Sequence, residues 1–161
     1  MIKIFGIGNI LLCDDGIGVK IAEKIKEQQV FNLNEVKVFI GETNIMYCLD
    51  EIENGDFLII IDSSYFMLKP GEVSIKSLEQ CREVLGDIRE DHGGNLIKNL
   101  FIYRKNIRGY LIGIEVSKVE FSLELSCELR EHFNEIYEKV IGYIEDILKS
   151  INGDILCMKY Q

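Results

Sequence analysis

The sequence predicts a three-layer α/β/α domain around a five-stranded mixed sheet, mainly parallel with strand four antiparallel. Three observations carry that reading. The first 62 residues alternate strand-like and helix-like runs, which is the pattern of a parallel sheet covered on both faces. The run "FLIIID" (57–62) is apolar without a break, as expected of a central strand buried on both sides. Only the eight residues Ser63–Pro70 separate it from the next strand-like run, whereas a parallel crossover needs about a dozen or more. That fourth strand must therefore run against the others.

The elements follow in order. "IKIFGIG" is a β-rich run closed by glycines, and Ile17, Ile21 and Ile25 then recur at helical spacing with charges between them. "EVKVFIG" (35–41) alternates like a strand, and "NIMYCLDEIENG" reads as a helix closed by Gly55. After "FLIIID" come the fourth strand "GEVSIKSL" (71–78), a helical region around 80–88, a loop at "REDHGGN" and a helix near 95–104. "GYLIGIEVSKV" (109–119) predicts a long fifth strand. The last helix aligns Phe133, Ile136, Val140, Ile144 and Leu148 on one stripe and is expected to stop before Asn152-Gly153.

With 161 residues, 47% of them apolar, and a single proline, the chain reads as one domain with a real core and no linker. A net charge of −9 without basic clusters argues against nucleic acid or an anionic membrane as partner. The five cysteines are scattered and form no C-x-x-C pair, so they read as reduced thiols of a cytoplasmic protein. The apolar start is broken by Gly6, Gly8 and Asn9 and meets two aspartates, unlike a signal segment. No apolar run approaches the roughly 18 residues of a membrane helix.

In an open α/β sheet the loops at the carboxyl ends of the strands build the site. That rule singles out "GNILLCDD", "GETN" (41–44) and "DSSY" (62–65), with His92 able to join if its loop folds over the same edge. The glycine turn is not a dinucleotide fingerprint: the third glycine position is Leu11, and paired carboxylates would repel a phosphate. Asp14 and Asp15 could simply favour a helix N-terminus, and Asp62 could cap a turn with Ser63 and Ser64. Asp62 is nevertheless carried to the sheet edge by a rigid strand, where a ligand or acid–base group is well held. Cys13, next to two aspartates, is a poor thiolate, and Ser63 and Ser64 lack a G-x-S-x-G elbow. His132 lies among charged neighbours and reads as solvated. An aspartic-protease-like pair of Asp15 and Asp62 stays open as a metal-independent alternative.

Taken in order, "GIGNILLCDDGIG", "GETN", "IIIDSSY", the lone histidine of "EDHGG" and "LIGIEVSKVEFSLELSCEL" resemble the hydrogenase maturation proteases over nearly the whole chain. The most specific part is G-x-G-N-x-L-x-x-D-[DE]-x-x-G. The resemblance implies a single domain over 1–161 with the mixed five-stranded sheet. It also implies an endopeptidase that removes a C-terminal extension from the precursor of a nickel-iron hydrogenase large subunit after nickel insertion. The two acids and one histidine with which the family engages a metal fall on Asp15, Asp62 and His92.

Two carboxylates and a neutral imidazole suit a borderline divalent ion such as nickel while leaving positions for other ligands. Nickel is expected to arrive with the precursor, and the enzyme to act as a monomer. Asp14 would orient its neighbour or the helix, and Asn9, Thr43 and Asn44 would bond the substrate backbone. Glu42 puts a charge beside the peptide channel. A non-catalytic chaperone that binds the metal and holds the precursor is the alternative.

Overall fold

The computed structural model describes residues 1–32, 34–85, 96–103 and 106–158. Strand β1 (Ile2–Ile7) leads through a 3-10 turn (Cys13–Gly16) into α1 (Ile17–Gln28); β2 (Val36–Glu42), α2 (Ile45–Asp50) and β3 (Phe57–Ser64) follow. Next come β4 (Val73–Ser77), α3 (Leu78–Leu85), α4 (Leu96–Tyr103), β5 (Arg108–Glu115), α5 (Cys127–Glu131) and α6 (Phe133–Met158). The strands order as β2-β1-β3-β5-β4. All neighbours pair in parallel except β4, which runs antiparallel to β5 with Val73 opposite Ile114. The short Ser63–Pro70 link has the consequence expected of it.

Period-two alternation along β3 sorts its side chains between two cores. Ile59 and Ile61 join Ile17, Ile21 and Ile25 of α1 and Val140 and Ile144 of α6. Leu58 and Ile60 face the other way, toward Leu49 of α2, Leu78 and Cys81 of α3, and Leu100 of α4. The strand is covered on both faces, which is why its sequence is apolar throughout.

Strand β3 runs past Asp62 to Ser64 and β4 is shorter than 71–78, and three further boundaries differ from the sequence reading by four or more residues, each for a local reason. Helix α2 stops at Asp50 rather than at Gly55. The 51–56 turn is held instead by Asp56, which accepts from Glu53 N (2.8 Å) and pairs with Lys3 (2.7 Å). Strand β5 ends at Glu115 rather than 119: the Val116 amide still donates to Ser64 O (3.2 Å), but Ser117 and Lys118 turn away and donate to Asp14. Helix α6 continues through Asn152-Gly153 to Met158. A mid-helix glycine costs only about 1 kcal/mol and does not by itself end a long helix. The region near 80–88 is α3 up to Leu85, and "REDHGGN" lies outside the described residues.

Candidate active site

The carboxyl edge of the sheet is built by close backbone contact. Gly8 takes φ +133°, and a Cβ there would collide with the Asp15 carbonyl oxygen. A Cβ on Gly18 would run into the Ile61 carbonyl, so this glycine lets α1 lie directly on the end of β3. The glycines of "GIGNILLCDDGIG" thus set the approach of the segment bearing Asp15 to the strand bearing Asp62.

The adjacent acids Asp14 and Asp15 have opposite fates. Asp14 is fully buried and accepts three backbone bonds, from Ser126 N (2.7 Å), Ser117 N (2.9 Å) and Lys118 N (2.9 Å). It ties the segment after β5 to the 3-10 turn, a link reinforced by Cys13 N donating to Ser122 O (2.9 Å) and Ser122 N to Leu11 O (3.1 Å). Its role is structural. Asp15 is half-buried at the rim: Oδ2 accepts from Asn9 N (2.9 Å), and Oδ1 accepts from the Ser63 hydroxyl (2.7 Å) and the Tyr65 hydroxyl (3.3 Å).

Asp62, also half-buried, accepts from Ser63 N at Oδ1 (2.8 Å). Burial, with the Asp15 carboxylate adding to it, pushes Asp62 up to about 7 against the opposing Ser63 amide. Near neutral pH this carboxyl exchanges its proton readily, as a general acid–base group or a cation-binding group must. Burial and then the Asp15 charge push the Tyr65 phenol up to about 12, so it stays a neutral donor. By register Ser63 shares the α1 face with Ile59 and Ile61, while Asp62 lies with Leu58 and Ile60 on the opposite face. The two acids therefore come to the end of β3 from different sides and meet at Ser63.

His92 falls in the chain between α3 and α4, outside the described residues. Among the described residues, no three of His, Cys, Asp and Glu are grouped to hold a metal ion. Asp15 and Asp62 could supply two oxygen donors to a divalent cation, fewer than such an ion needs. The His132 ring is exposed and pairs with Glu135 (3.3 Å). Cys13 is buried with its thiol raised by burial and by Asp14, an inert group.

Of the residues expected to bond substrate, Asn44 uses its side chain to cap α2 by accepting from Tyr47 N (3.0 Å). The Asn9 side chain accepts from Leu11 N (3.0 Å). Thr43 is exposed. Glu42 is exposed and takes φ +48° at the end of β2, where Gly8 N donates to its carbonyl (3.2 Å).

Sequence reasoning did not find the apolar rim. Glu115 is buried and accepts from the Ser64 hydroxyl (3.0 Å), Phe66 N (2.9 Å) and Leu68 N (3.2 Å). Burial would raise this carboxyl, but those donors outweigh it and hold it below the usual range. The loop it pins displays Met67, 99% exposed at φ +61°, beside Tyr65. The segment tied by Asp14 displays Phe121, 91% exposed. The only sequence signal was "YFML" and "FSLEL", apolar residues in stretches too short to be elements.

Comparison with known proteins gives one consistent answer. The family model described as hydrogenase maturation protease matches residues 19–145. The chain is 24% identical to the hydrogenase expression/formation protein HupD of Thiocapsa roseopersicina over 149 residues, 89% of this chain and 67% of that protein. It is 32% identical to the HoxM protein of Azotobacter vinelandii over 85 residues, 53% of this chain but only 41% of that one. The solved structure of the hydrogenase maturating endopeptidase HybD from Escherichia coli superposes with a TM-score of 0.72 at 25% identity, covering 90% of this chain and 92% of that one.

Proposed function

This chain belongs to the hydrogenase maturation protease family, and from that membership we propose that it is an endopeptidase acting on a nickel-loaded hydrogenase large-subunit precursor. It removes a C-terminal extension and recognises the bound nickel through Asp15, Asp62 and His92. The observation that carries the reading is the meeting of Asp15 and Asp62 at one rim of the sheet, linked through Ser63. Among the described residues neither of these half-buried carboxylates has a cationic partner at hydrogen-bond distance, which fits a cation brought by the substrate. Nickel is then cargo, and the precursor supplies the ligands that the two acids and His92 do not.

Bound nickel would polarise a peptide carbonyl or a water at the site. The chain's own residues do the rest. Asp15 is oriented by its hydroxyl and amide donors, while Asp62 would release its proton to water as a cation arrives, or relay one during hydrolysis. The exposed side chains of Leu11, Tyr65, Met67 and Phe121, on the segments that follow β1, β3 and β5, would offer apolar contacts to an extended peptide. Among the described residues no helix is long and apolar enough to cross a membrane.

The test follows the mass of a nickel-loaded precursor incubated with the chain and its variants. A single truncation is expected with the parent, lost in Asp62→Asn and strongly reduced in Asp15→Asn and His92→Ala. Full cutting by Asp62→Asn would reject the site. No cutting by the parent under any condition, with the precursor nonetheless retained, would point to a holding chaperone.

A further inference from the structure

Ser63 touches both acids at once, and no other described residue bonds the two. Its amide donates to Asp62 Oδ1 (2.8 Å) and its hydroxyl to Asp15 Oδ1 (2.7 Å). We propose that Ser63 is the positioning residue of the site, setting the orientation of Asp15 relative to Asp62, with Tyr65 as a second and weaker donor to the same Asp15 oxygen. The inference rests on the reading that these acids recognise nickel.

The argument is one of connectivity. Asp62 is carried by β3 itself, whereas Asp15 sits on a short 3-10 turn at the far end of a glycine-rich loop. Of the bonds to Asp15, the one from Asn9 comes from within that same loop and cannot fix the loop against the strand. The bonds from Ser63 and Tyr65 do. Ser63 is the shorter and better-anchored donor, because its backbone is in the β3 ladder opposite Ile114 and its side chain is directed to the α1 face by register. Tyr65 lies beyond the strand end, is 58% exposed and bonds at 3.3 Å.

Both donors engage the same Asp15 oxygen, Oδ1. A hydroxyl that donates to one carboxylate oxygen orients the group while other lone pairs stay free for a cation, the usual task of a hydrogen-bond partner behind a metal ligand. The single Ser63 hydroxyl proton is thereby directed at Asp15. The serine left over by the failed G-x-S-x-G comparison acquires a role.

Three variants of the full chain test this: Ser63→Ala, Ser63→Thr and Tyr65→Phe. Each is assayed by calorimetric titration with nickel ion alone, by kcat and KM for truncation of the loaded precursor, and by crystal structure. Ser63→Ala should weaken nickel binding and lower kcat/KM by about tenfold or more, the usual loss when a ligand's hydrogen-bond partner is removed. Its Asp15 carboxylate should turn away from the parent orientation. Ser63→Thr, which keeps the hydroxyl, should restore both, and Tyr65→Phe should fall between.

An Asp15 orientation unchanged in Ser63→Ala would overturn the proposal. So would a loss that tracks a lower melting temperature and is not rescued by threonine. If the parent neither binds nickel nor discriminates loaded precursor, the metal reading fails, and the Ser63→Ala crystal structure alone still decides whether Ser63 positions Asp15.

Discussion

Removing the Asp14 carboxylate should destabilise the fold although the residue adjoins the site and reads locally as a helix-start acid. In Asp14→Ala three amides lose their acceptor: Ser126 N in the interior, and Ser117 N and Lys118 N at its margin. An unpaired interior donor costs about 1–3 kcal/mol, and each of the two marginal amides, which can turn to water, about 0.5–1.5 kcal/mol. The expected loss is therefore about 2–6 kcal/mol. With a urea slope of about 2 kcal/mol/M, the unfolding midpoint should drop by about 1–3 M. Asp14→Asn should lie between parent and alanine, since an amide offers one acceptor oxygen but turns an NH2 toward N–H donors. An unfolding free energy within about 0.5 kcal/mol of the parent, the range of an ordinary surface substitution, would refute the assignment of Asp14 as the tie between the two segments.

Other perturbations have equally definite outcomes. The folded chain keeps the Asp62 proton up to about pH 7, whereas an unfolded aspartate releases it near about 3.9. The stability this group contributes is thus complete below the unfolded value and lost as pH rises through about 7. Urea unfolding at a series of pH values should show that decline in the parent and a flatter profile in Asp62→Asn, while nickel binding should move oppositely and strengthen as Asp62 ionises. A steeper decline in Asp62→Asn would contradict the shift. At the left-handed Glu42 position, Glu42→Gly should raise stability by about 0.5–1 kcal/mol, relief of side-chain strain outweighing the added chain entropy. A lower melting temperature would show that the Glu42 side chain itself contributes.

What the sequence made legible were features with a local cause. The uninterrupted apolar run to Asp62 announced a strand covered on both faces, and the eight-residue link after it announced an antiparallel neighbour. Glycines flanking an acid pair announced a tight turn at the sheet edge, and the placement of Asp15 and Asp62 followed from strand order. What stayed hidden depends on partners far along the chain. Ser126 lies 112 residues from Asp14, and no spacing near Asp14 distinguishes it from Asp15. The tie of Glu115 to the 64–68 loop and the convergence of Ser63 on Asp15 are of the same kind, set by sheet register and not by sequence neighbours. The end of α6 is not legible either, because Asn152-Gly153 carries a stop signal whose cost a long packed helix outweighs.

The central claim is that the acids at the sheet edge recognise metal brought by the substrate, and the parent chain incubated with paired precursor preparations tests it most directly. Intact mass should show one C-terminal truncation of the nickel-loaded large subunit and none of the nickel-free form. Equal truncation of the two would contradict metal-gated recognition and return the pair Asp15 and Asp62 to an acidic peptidase that needs no metal.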